Sequence, residues 1–111
     1  MTDKIVVLST CSSEQEAGVL AHRLVELRLA ACVNIVPRVR SVYRWKDAVE
    51  TAEEFLLLIK SSRPLFQQLS AELQKAHSYE VPEAIALPIV DGAAAYLDWL
   101  GSNLQEGSTP E

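Results

Sequence analysis

Two stretches of this chain are apolar without alternation, and two other extended stretches each hold a proline. The unbroken runs are Ile5-Val6-Val7-Leu8, within Lys4 to Thr10, and Phe55-Leu56-Leu57-Leu58-Ile59, within Glu50 to Ser61. Such runs suit strands covered on both faces at the centre of a sheet. Pro37 lies within Cys32 to Trp45, and Pro88 within Ala84 to Val90. Proline has no N–H for a ladder, so these two strands belong at sheet edges or carry a bulge. A fold for this chain must therefore place its first and third strands inside and its second and fourth outside.

Helical patterns fill two of the gaps between them. Ser13-Glu14-Gln15-Glu16 reads as a capping box. Ala17, Leu20, Ala21, Leu24, Leu27 and Ala31 follow at helical spacing, which predicts a helix over about Glu14 to Leu29. Ser62-Arg63-Pro64 starts a second helix, to about Ala76, with the stripe Leu65, Leu69, Leu73 and Ala76. Lys46-Asp47-Ala48-Val49 is the turn between the second and third strands. Asp91-Gly92 is expected to cap a third helix, with Ala93, Tyr96, Leu97, Leu100 and Leu104 on its apolar side. The order β-α-β-β-α-β plus a C-terminal helix points to an α+β ferredoxin-like sandwich. Its antiparallel sheet has the order 4-1-3-2, which puts the prolines at the edges. One domain over 1–106 is expected, and residues 107–111 have nothing to bury and should fray.

Within Cys32 to Trp45, Val33, Ile35, Val39, Tyr43 and Trp45 share one parity, and Asn34, Arg38, Arg40 and Arg44 share the other. That alternation predicts one covered and one wet face. The bases and the acids Glu50, Glu53 and Glu54 lie across the hairpin and can pair. Tyr43 and Trp45, large groups near the tip, suit a subunit contact.

Composition narrows the function classes. The chain has 111 residues, 49% of them apolar, and carries 15 acids against 10 bases, a net charge of -5. That balance opposes nonspecific nucleic-acid binding. No apolar segment has the length of a membrane span, and no signal peptide is evident. Two cysteines are too few for a secreted disulfide scaffold. A cytoplasmic protein is the expectation. No phosphate-binding glycine loop, nucleophile elbow or zinc-protease helix occurs.

The topology brings some reactive groups together and parts others. Roughly 16 residues of helix span about 24 Å, so Cys11 and Cys32 stand at opposite ends of the sheet, too far apart for a disulfide. Cys32 reads as a small core residue, and His22 as a solvated helix histidine. The fourth strand begins at the end where the first finishes, so Cys11 can neighbour the loop of His77, Tyr79 and Glu80. A thiol, an imidazole and a carboxylate so placed could hold copper or zinc. The competing reading is a loop histidine bonded to its own turn. Catalysis by His77 and Glu80 as acid and base lacks any nucleophile or cofactor motif.

Five segments together carry a resemblance. They are Leu29-Ala30-Ala31-Cys32-Val33-Asn34, Ser41-Val42-Tyr43-Arg44-Trp45, Leu58-Ile59-Lys60-Ser61, His77-Ser78-Tyr79-Glu80-Val81-Pro82-Glu83 and Tyr96-Leu97-Asp98-Trp99-Leu100. From Ile5 to about Leu104 the chain resembles the CutA (CutA1) divalent-cation tolerance proteins. The resemblance implies a ferredoxin-like homotrimer, with the hairpins of strands 2 and 3 building an intersubunit sheet. It also implies a non-enzymatic role in tolerance of copper and other divalent metals. Some members bind Cu(II) through a cysteine near the end of strand 1 and histidines before strand 4. Here Ser9 stands at the first position, with Cys11 two residues on, and the loop offers His77 and Glu80. The implied metal ligands are thus His77, Cys11 and Glu80. Trp45, Lys60, Tyr79 and Glu80 match positions around an intersubunit cleft. The trimer also resembles the nitrogen-regulatory PII signalling proteins. That implies an alternative, a sensor whose Arg38, Arg40, Arg44 and Lys60 hold a small anion. Eukaryotic relatives are linked to the anchoring of acetylcholinesterase.

Overall fold

The structure, a computed structural model, describes residues 2–105. The expected frayed tail, 107–111, lies outside the described residues. The elements run β1 (Lys4–Cys11), α1 (Glu14–Glu26), β2 (Cys32–Trp45), β3 (Ala48–Ser62), α2 (Phe66–Ala76), β4 (Ile85–Pro88) and α3 (Ala94–Ser102). A turn of 3₁₀ helix, Arg63–Leu65, leads into α2 with Pro64 in it. The sheet order is β2-β3-β1-β4, antiparallel throughout. Both proline-bearing strands are edges, and both unbroken apolar runs are central, as the ladder chemistry of proline requires.

The central strands are covered unequally. In β1, Ile5, Val7, Ser9 and Cys11 are buried while the residues between them are half-buried. The buried set faces the helices and packs with Leu57 and Ile59 of β3, Leu20 and Leu24 of α1, and Leu69 and Leu73 of α2. The opposite face carries Val6, Leu8, Leu56 and Leu58, beside the exposed Ile85 and Leu87 of β4. The expectation of two covered faces thus holds for one face within a single chain. An open apolar sheet face of this kind marks an interaction surface.

The helix ends differ from the periodic reading for local reasons. Ser13 caps α1, its hydroxyl accepting from the Glu16 N–H at 3.1 Å. The Glu16 carboxylate reaches back to Ser12 rather than to Ser13. The helix stops at Glu26, with Arg28 in the left-handed region (φ 59°) and the Leu29 N–H bonding back to the Leu24 carbonyl. Leu27 and Ala76, read as stripe residues, are exposed. At the end of α2 the next residue, His77, takes the buried place instead. Ala93 is the N-cap of α3 and has no side-chain cap; Asp91 accepts only the Gly92 N–H. Of the α3 stripe, only Leu100 is fully buried.

β2 holds the largest departure. Val36 lies opposite Leu56 and Val39 opposite Glu54, so Pro37 and Arg38 face one residue of β3. This is a β-bulge, with Arg38 at φ 65°. One extra residue exchanges the two faces of everything beyond it. Val33 and Ile35, opposite Ile59 and Leu57, share the helix side of the sheet. Val39, Tyr43 and Trp45 share the other side, although all five have one parity. No ion pair forms between the arm's arginines and Glu50, Glu53 or Glu54 among the described residues. Cys32 is half-buried on the open face, its Sγ 3.9 Å from Asn34 Oδ1, and not in the core.

The hairpin tip is tighter than the four-residue reading. Lys46 and Asp47 alone connect Trp45 to Ala48, with φ of 49° and 67°. Two positive φ values define a type I′ turn, which favours Asn-Gly. The double substitution Lys46→Asn, Asp47→Gly should raise stability by roughly 1 kcal/mol, read as a higher denaturation midpoint. An unchanged or lower midpoint would show that the tip is not held as a I′ turn. Among the described residues, no helix is long and apolar enough to cross a membrane.

Candidate functional site

Beyond the bulge, the long β2–β3 arm and the loop after α2 enclose a cleft of about 650 Å³. Thr10, Ser41, Tyr43, Trp45, Glu54, Tyr79, Glu80 and Glu83 are among its lining residues. Because the bulge exchanged the faces, Tyr43 and Trp45 share a side of the arm with Glu54. Arg40 and Arg44 stand on the opposite side. The lining therefore contains carboxylates and aromatic rings and no lysine, arginine or histidine.

Three consecutive residues tie the loop to three different elements. The imidazole of His77 is fully buried; its Nε2–H donates to the Thr10 carbonyl of β1 at 2.7 Å, and its Nδ1 accepts the Tyr79 N–H at 3.0 Å. This pairing sets the Nε2–H tautomer. The Ser78 N–H donates to Glu16 Oε2 of α1 at 2.8 Å. The Tyr79 hydroxyl donates to Glu54 Oε2 of β3 at 2.5 Å. Glu80 and Glu83 follow directly from this anchored segment.

Electrostatics agree with the bonding. Burial pushes the Tyr79 phenol well above its ordinary range, and the bond to Glu54 and that carboxylate's charge add to the shift. Burial pushes the Cys11 thiol up as well, and Glu16 adds to it. Burial alone would raise Glu16, but the hydrogen bonds from Ser78 and Ser12 outweigh it and hold the carboxyl below 4.5.

The expected ligand residues are thus neighbours without converging. Cys11 Sγ is buried and points to the Ser13 carbonyl at 3.7 Å. His77 has both nitrogens engaged, and Glu80 is exposed on the cleft. No group of three or more His, Cys, Asp or Glu residues is placed to hold a metal ion among the described residues. His77, Cys11 and Glu80 do not form a preformed metal centre in this conformation. Of the expected cleft residues, Trp45, Tyr79 and Glu80 come together within one chain. Lys60 does not: it lies opposite Cys32 at the far end of β3 and donates to Asn34 Oδ1. Arg38, in the bulge, and Arg40 and Arg44 are likewise outside the lining.

Sequence reasoning missed Glu54, Glu83 and Glu16 as parts of this region. Glu54 precedes the apolar run of β3, so its place on the open face follows from strand alternation. Its partner Tyr79 is 25 residues away and only the tertiary structure brings them together.

The comparisons with known proteins accord with this architecture. Residues 5–103 match the family described as CutA1 divalent ion tolerance protein. The divalent-cation tolerance protein CutA of Thermus thermophilus is 50% identical over 98 residues, which cover 88% of this chain and 95% of that protein. The protein of the same name from Pectobacterium atrosepticum is 39% identical, over 95% of this chain and 96% of its own. The solved structure of the Thermus thermophilus protein superposes with a TM-score of 0.90 at 48% identity, covering 92% of this chain and 99% of the other. That of CutA1 from Oryza sativa gives 0.91 at 42% identity, covering 94% and 95%. Matched by the family over residues 5–103 and 50% identical to a curated member, the chain belongs to the CutA1 family of divalent-cation tolerance proteins.

Proposed function

We propose that this protein is a homotrimeric, non-enzymatic cation-binding protein of the cytoplasm, and that divalent cations are taken up at the cleft between the arm and the loop after α2. The lining carries this reading: Glu54, Glu80 and Glu83 contribute carboxylates, and no base opposes them. Uptake there fits a cation that keeps water between itself and the carboxylates, since no three donors converge. The thiol and imidazole of Cys11 and His77, with Glu80, would favour copper or zinc over magnesium or calcium. For His77 to ligate, Nδ1 must release the Tyr79 amide and the loop must open. The trimer reading draws on the open apolar sheet face and the free edges of β2 and β4. Two unbridged thiols accord with the cytoplasm.

The anion-sensor alternative places Arg38, Arg40, Arg44 and Lys60 at a cleft between subunits; within one chain none of the four lines the cleft described above. Titration calorimetry with Cu(II) tests the cation reading. The double variant Glu80→Gln, Glu83→Gln should bind at least tenfold more weakly, and its fold should be intact because neither residue is buried. Equal affinity of variant and wild type would move the cation away from the cleft. Loss of copper in His77→Gln alone, with the double variant unaffected, would assign the ion to the opened loop.

A further inference from the structure

Glu54 is 6% exposed, yet it lies in the wall of the cleft. Its Oε2 accepts the Tyr79 hydroxyl, and among the described residues nothing donates to Oε1. No base lies within 4.0 Å of it among the described residues. Oε1 is not sealed in the interior; it is open to the cleft and can accept a charge-assisted bond from a positive ligand. That is one observation. The second is the company it keeps. Tyr43, Trp45 and Tyr79 line the same cleft, and aromatic faces attract a cation that has shed its water. Trp45 already meets a cation within the chain, with Lys46 Nζ 5.7 Å from its ring centroid. Aromatic walls add little for a hydrated metal ion. They add much for an ammonium group attached to carbon, whose alkyl part is covered while its charge meets the carboxylate.

From this pairing we infer that the cleft also binds an organic ammonium ion, seated with its charge on Glu54 and its alkyl part against Tyr43, Trp45 and Tyr79. Glu80 and Glu83 at the same cleft suit a second positive group on the same molecule, so an alkyl diamine fits better than a single amine. The inference rests on the cation-binding cleft proposed above, but not on the metal.

Calorimetry on the intact protein, with 1,4-diaminobutane and then tetramethylammonium as probes, tests it. The diamine should bind saturably at one per chain. Glu54→Gln, which keeps an acceptor for the Tyr79 hydroxyl, should weaken it at least tenfold. Trp45→Leu, at an exposed position, should weaken it several-fold. Tetramethylammonium should compete, more weakly, because it offers no N–H to the carboxylates. Absence of saturable diamine binding to the wild type overturns the inference, as does wild-type affinity in both variants. A third overturning result is a diamine site that appears only in Lys60→Met. It would show that a lysine from outside this chain's cleft already neutralises Glu54. Unchanged copper affinity in the Glu80→Gln, Glu83→Gln variant, with the diamine bound by the wild type and lost in Glu54→Gln, would strike the metal reading alone.

Discussion

Replacing His77 by alanine should cost about 3 kcal/mol of stability and loosen the cleft loop together with it. The imidazole is wholly buried and serves two partners on different elements, the Thr10 carbonyl and the Tyr79 N–H. Removal leaves both short of a partner, at about 1–3 kcal/mol each, and adds a cavity. Urea denaturation reads the loss, and hydrogen exchange at Ser78 and Tyr79 reads the loosening. His77→Gln should recover part of the stability, because an amide can both donate and accept. A variant as stable as the wild type would show that the loop is held by Glu16 and Glu54 alone. The same cluster sets a pH dependence. Glu16 is held below 4.5, so the native state gives up this proton more readily than the unfolded chain. Its contribution is complete above the ordinary value and is lost as pH falls through the lowered one. Glu16→Gln should flatten the stability curve in that acid window, while leaving neutral-pH behaviour to report the lost charge-assisted bonds.

Leu58→Glu should convert the proposed trimer into monomers. Leu58 sits in the centre of the open face, between Leu8 on β1 and Asn34 on β2. In one chain the new carboxylate reaches solvent and the core on the helix side is untouched. In a trimer that buries this face it has no partner, and a buried unpaired charge costs several kcal/mol. Repeated in each of three subunits, that penalty opposes association while leaving each folded chain intact. Light scattering coupled to size exclusion gives the mass directly. A variant that keeps the wild-type mass with native circular dichroism would place the subunit contact elsewhere, on the arm or at the free edge of β4.

Some of this was legible in the residues and some could not be. Pro37 and Pro88 named the edge strands because a missing N–H is a local chemical fact, true in any fold. The runs at Ile5 and Phe55 named the centre because successive apolar residues favour cover on both faces, although within one chain only the helix side supplies it. The cleft was different. The parity of Tyr43 and Trp45 was readable, but parity assigns a face only while the register runs unbroken. The bulge at Pro37–Arg38 reversed it and turned the aromatics onto the side of Glu54. A bulge was one of two readings that Pro37 allowed. His77 and Cys11 were correctly brought near one another by topology, yet topology does not say which way a ring nitrogen or a sulfur is committed. Hydrogen bonds to Thr10, Tyr79 and Ser13 decide that.

By itself the sequence determined the element order, the two edges, the capped start of α1 and the family, because each rests on local chemistry or on contiguous identity. Only the tertiary structure decided that Glu54, Tyr79 and Trp45 face one cleft, that the arm's arginines do not, and that His77 is a strut. Those outcomes depend on a register shift of one residue and on partners distant in the chain, and neither is written in any local segment.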